Sequence, residues 1–212
     1  MSDETDFDID GLLALEPSPD EDAWEAYVVF ALEQMGAGDE AMAIDMGALR
    51  KLEQALGVQL PFEIGLLLVV GVPESDEWVR WGDDPAQEYG EWKAHVLDRI
   101  LAAVEVEEFW SDAWGERPRD AETRKDLVTA AHASAAPLLP LYRDRVVPLT
   151  IAEGADAAES NPILALNGAS VRTVASDLAA WLNGEFDVPL PMWPETAARS
   201  FPFWSDLERD DV

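Results

Sequence analysis

The chain contains no cysteine, which excludes disulfides, thiol nucleophiles and thiolate metal sites. It has two histidines, His95 and His132, far apart in sequence on expected helices and without neighbouring ligands at metal spacing. No apolar run approaches the roughly 18 residues needed to span a bilayer. The acidic beginning lacks the basic stretch of a secretory signal, so the expected address is the cytoplasm. Neither a Gly-x-Ser-x-Gly elbow nor a phosphate-cradling glycine loop occurs. Asp83-Asp84 beside Pro85 is explained by helix capping. The expectation is therefore a protein with no enzymatic activity, cofactor or metal.

Positive charge is also scarce. Lys and Arg number 14 against 44 Asp and Glu in 212 residues, a net charge of −30. Only three of the bases are lysines, and the first 49 residues hold 14 acids and no base. Such a field repels phosphate backbones and anionic membranes, so neither nucleic acid nor membrane is an expected partner. It speeds association with a basic protein. Acidity that only maintains solubility, or adapts the chain to high salt, is the competing explanation.

Apolar residues make up 48% of the chain, enough for one sizeable core. Residues 1–19 read as an acidic leader. Within it, Asp6-Phe-Asp8-Ile-Asp10-Gly11 opens like a calcium loop, but Pro17 stands where the bidentate glutamate belongs and Glu16 falls one place early. The expectation there is a solvated tail. Residues 20–35 form a helix with Trp24, Tyr27, Val28, Ala31, Leu32 and Met35 on one face. Its first turns carry Asp20, Glu21, Asp22 and Glu25, the densest acid beside an apolar helix face and the candidate partner-binding block.

Punctuation marks the next elements. Asp45 and Gly57 bracket one helix, and Pro61 and Gly71 bracket the next. Trp78 to Trp81 alternates like a strand. A helix from Pro85 carries Trp92, Val96 and Ile100 through Ala103, a short strand is expected over 104–110, and another helix over 119–135 with Leu127 and Val128 inward. Prolines 137, 140 and 148 then punctuate two strands, 138–142 and 145–149, folded back at Arg143-Asp144. Asn161-Pro162 turns into a strand over 163–166, Asn167-Gly168 signals a hairpin, and a strand over 171–174 follows. Ser176 or Asp177 caps a closing helix through Leu182. One parity set of the first strand, 139/141 or 138/140/142, should face the core. Arg117, Arg143 and Arg145 are each expected to tie loops or carboxylates together rather than to meet an anion.

Several segments resemble the SUKH superfamily, which is named partly after a yeast regulator of cell-wall synthesis. They begin with Leu49-x-x-Leu52-Glu53-x-x-Leu56-Gly57-x-x-Leu60-Pro61 and Trp110-Ser-Asp-Ala-Trp114-Gly115-Glu-Arg117-Pro118. Pro137-Leu-Leu-Pro140-Leu-Tyr142, Arg145-Val-Val-Pro148, Asn161-Pro162-Ile163, Trp181-Leu182 and Phe201-Pro-Phe203-Trp204 follow. Ser176 stands where the family has a glycine. The resemblance spans residues 45–206 and implies an immunity protein that occludes a polymorphic toxin, one that is in many cases a nuclease. A regulatory or scaffold protein is the alternative it leaves. The motif residues are expected to be mainly structural. The architecture expected is a single α+β domain, a largely antiparallel sheet flanked by helices. An acidic helical extension (1–44) precedes it, and an acidic tail (207–212) follows.

Overall fold

The structure is a computed structural model that describes residues 21–37, 41–106, 109–149, 159–191, 193 and 197–208. Helix α1 (Glu21–Gln34) opens the described chain, with Glu21 and Asp22 at its positive end. Helix α2 (Met46–Leu56) starts where Asp45 Oδ1 accepts from the backbone N–H of Gly47 (2.7 Å) and Ala48 (3.0 Å). Helix α3 (Phe62–Val70) follows Pro61 and ends at Gly71. A side chain at Gly71 would meet Ala41 Cβ at 2.8 Å, because Met42 and Val72 pair there through two backbone hydrogen bonds.

Helix α4 (Pro85–Val106) is longer than expected and absorbs the start of the strand proposed for 104–110. Val104 and Val106 suit a strand by propensity. Val104, however, continues the buried stripe of Val96, Ile100 and Ala103 at helical spacing. Helix α5 (Ala121–Ser134) is capped by Asp120 Oδ2, which accepts from Thr123 N–H at 2.8 Å. Val128 points inward, but Leu127 is 48% exposed.

The sheet consists of β1 (Leu138–Tyr142), β2 (Arg145–Pro148), β4 (Ile163–Asn167) and β5 (Ser170–Ala175), paired antiparallel in the order β1-β2-β4-β5. A parallel pair, β3 (Glu159–Ser160) with β6 (Ala197–Ala198), stands apart. Helix α6 (Leu178–Phe186) closes the sheet, capped by Asp177 rather than Ser176: Oδ1 accepts from Ala180 N–H at 2.7 Å. The β4–β5 loop is Gly168-Ala169, one residue later than Asn167-Gly168, because Asn167 pairs with Ser170. Gly168 takes the positive φ, 64°.

Both faces of the sheet are covered, so the single-face expectation for β1 is corrected: all five of its residues are buried. Leu139, Leu141, Val147 and Ile163 pack with Tyr27 and Val28 of α1, Leu52 of α2, Leu67 of α3 and Trp181 of α6. On the opposite face Leu138, Val146, Leu164 and Val171 meet Ile100 and Val104 of α4, Val128 of α5, and Phe201, Phe203 and Trp204. Each edge is also covered. Residues 77–79 bond β1 through Val79 N–H to Leu141 O (2.9 Å) and Arg143 N–H to Glu77 O (2.7 Å), a bridge where a full strand over 78–81 was expected. Glu208 bridges Val171 on β5 and accepts from Thr173 N–H at 3.3 Å.

Two expected boundaries therefore shift. Helix α1 belongs to the main core, since Tyr27, Val28 and Ala31 are at most 1% exposed. Fold contacts at the other end run to Glu208, with Leu207 fully buried.

Candidate functional site

The motif residues occupy supporting positions. Leu56 is buried, and Gly57 takes φ 74° as the left-handed cap of α2. Glu53 Oε1 accepts from Leu60 N–H at 3.0 Å, which fixes the approach to Pro61. Trp110 donates to Gly115 O at 2.8 Å. Trp114 lies edge-on to Trp110 and stacks on Phe203 with centroids 5.7 Å apart. Arg117 donates to Val104 O at 2.8 Å, meeting a last-turn carbonyl of α4. Arg124 pairs with Glu105 and donates to Pro118 O at 3.0 Å. Pro137 O accepts from Leu149 N–H at 2.8 Å, while Pro140 and Pro148 are buried opposite Val146 and Leu138. Asn161 Oδ1 accepts from Arg199 at 3.4 Å, and Pro162 is buried.

Tyr142 and Arg145 belong to a denser arrangement. The Tyr142 hydroxyl donates to Glu77 Oε2 at 2.7 Å. Arg143 pairs with Glu77, donating from Nε at 3.0 Å, and reaches Glu185 at 3.6 Å. Arg145 pairs with Asp144 and donates to Glu185 Oε2 at 3.2 Å. Arg143 also lies over the Tyr142 ring, 4.9 Å from its centroid. The hydrogen bonds from Arg143 and Tyr142 hold the Glu77 carboxyl below its ordinary range. Burial, then the bond to Glu77, pushes the Tyr142 hydroxyl up to about 12. Arg143 and Arg145 thus join the β1–β2 turn to carboxylates, while Arg117 joins its loop to a backbone carbonyl of α4.

Arg143 and Asp144 of this arrangement also line a cleft of about 190 Å³ between α4 and the two hairpin turns. Trp92, His95 and Arg99 of α4 line it together with Arg143 and Asp144 of one turn and Gly168 of the other, and the buried Val96 and Val146 and half-buried Leu166 supply its apolar lining. Arg99 is aimed by Asn167, whose Oδ1 accepts from Nη2 at 3.3 Å. Trp92, His95 and Arg99 follow the i, i+3, i+7 spacing of one helix face. That spacing was the available sequence signal, overshadowed by the apolar stripe beside it.

Of the acid block, Glu21, Asp22 and Glu25 are exposed on α1, and Asp20 lies outside the described residues, as does the Asp6 to Glu16 stretch. The block and the cleft are separate, since no α1 residue lines the cleft. Helix α1 presents its acids from a fixed base: Tyr27 donates to Ala179 O at 3.5 Å, and Trp24 and Tyr27 pack edge-on against Trp193.

Among the described residues no group of three His, Asp or Glu side chains is placed to hold a metal ion, and no helix is long and apolar enough to cross a membrane. His132 is buried against Phe203 and Trp204. Burial, then the charge of Lys93, lowers its pKa to about 4. The chain matches no family model, no curated protein and no solved structure.

Proposed function

We propose that the chain is a non-enzymatic protein-binding module of the SUKH type, an immunity protein that neutralises a basic toxin by occluding it. The observation carrying this reading is the display of Glu21, Asp22 and Glu25 on a helix whose opposite face is locked into the core. Rigid presentation lowers the ordering cost of binding, and an acidic field of −30 speeds encounter with a basic surface. The supporting positions of the motif residues and the four-stranded antiparallel sheet agree with it.

The test has two linked parts. Wild type and the triple variant E21K/D22K/E25K are used as bait in the source cells, and captured proteins are identified by mass spectrometry. The captured protein is then expressed in a sensitive host. Wild type is expected to capture a basic protein that arrests growth, and to restore growth when co-expressed; the triple variant should do both poorly. Equal capture by both baits, or growth arrest that wild type fails to relieve, would contradict the reading.

A further inference from the structure

We infer that the cleft between α4 and the two hairpin turns binds a carboxylate attached to a side-chain-sized apolar group, presented by a protein partner. The inference rests on the protein-binding reading above. The cleft is small. About 190 Å³ falls below the roughly 300–1,000 Å³ of sites that enclose whole small molecules. It suits one amino-acid side chain.

Val96, Val146 and Leu166 give the cleft an apolar lining, and its exposed polar groups are His95, Arg99, Arg143 and Asp144. The cations are not equivalent. Arg143 is balanced by Glu77 and Glu185, and Arg145 outside the cleft claims Asp144. Arg99 makes no ion pair among the described residues; its hydrogen-bond partner is the neutral amide of Asn167. A guanidinium offers five donors in a planar fork that matches a carboxylate. With Asn167 engaging one nitrogen, the remaining donors are open to a ligand.

The overall field selects the carrier. A free anion approaching a chain of net charge −30 is bound more weakly for that repulsion, though still saturably. A basic protein bearing one acidic or C-terminal carboxylate is attracted as a whole and delivers that group locally.

The test needs no partner, so its failure would leave the proposed function standing. The full chain, labelled with ¹⁵N, is titrated with N-acetyl-leucine, its uncharged amide, and inorganic phosphate. The Trp92 indole and Arg99 Nε resonances are followed by NMR. N-acetyl-leucine should shift both saturably. The amide and phosphate should bind about tenfold more weakly, as should N-acetyl-leucine to Arg99→Gln, since each lacks one charge-assisted or apolar contribution. Arg99 is exposed, so the variant should fold; matching backbone spectra check this. Absence of saturable shifts, equal binding of amide or phosphate, or unchanged affinity in folded Arg99→Gln would overturn the inference.

Discussion

Arg143 and Gly168 hold the same place in two neighbouring hairpins. Each is the first residue of a two-residue loop, and each takes a positive φ, 49° and 64° respectively. Glycine adopts this geometry freely, whereas a side chain there costs about 1–2 kcal/mol. In the β1–β2 turn the ion pairs to Glu77 and Glu185 hold the arginine in place. Arg143→Gly removes both strain and ion pair, and half-exposed pairs contribute only about 0–1 kcal/mol. Its stability should therefore stay within about 1 kcal/mol of wild type, while Gly168→Ala loses about 1–2 kcal/mol. Urea denaturation of the two variants checks both values.

Helix α1 is part of the fold, so removing residues 1–44 should abolish cooperative unfolding instead of leaving an independent domain. The milder Tyr27→Ala should cost roughly 3–5 kcal/mol, the range for truncating a buried aromatic ring. Circular dichroism during thermal denaturation gives both answers.

A sheet covered on both faces makes neighbouring β1 residues equally sensitive. Leu138→Ala and Leu139→Ala should each cost about 2–5 kcal/mol, although they face opposite clusters. Leu127→Ala on exposed α5 surface should stay within about 0.5 kcal/mol. Denaturant midpoints at constant slope distinguish these outcomes.

His132 predicts a pH dependence of definite sign. Its folded pKa, about 4, lies below the unfolded value of 6.5. The unfolded state therefore binds the proton first, and stability contributed by the neutral ring is lost as pH falls from 6.5 towards 4. His132→Leu should flatten the stability profile in that window while leaving its shape above pH 7 unchanged. Thermal midpoints taken across the pH range measure this.

Local punctuation made much of the fold legible in the sequence. Asp45 with Gly57 and Pro61 with Gly71 bracket α2 and α3 because capping and backbone freedom act within a few residues. The run from Val104 was harder, since β-branched residues favour strands until a tertiary partner uses their helical spacing. Burial of β1 on both faces was hidden because its continuous apolar run fits either parity. The cleft was the least legible feature. It joins α4 to two turns distant in sequence, and only the packed sheet brings Arg99 and Arg143 to one cleft.

Recognition of a basic partner by the acidic surface makes association depend on salt. The most direct measurement is the association rate with the captured partner as salt rises from about 50 to 500 mM, which shortens electrostatic screening to a few ångströms. Steering predicts a steep fall in the on-rate with a smaller change in the off-rate, and E21K/D22K/E25K should reproduce part of that fall at low salt. An on-rate indifferent to salt, with the fold gaining stability steadily across the same series, would contradict the account and assign the charge to solvation.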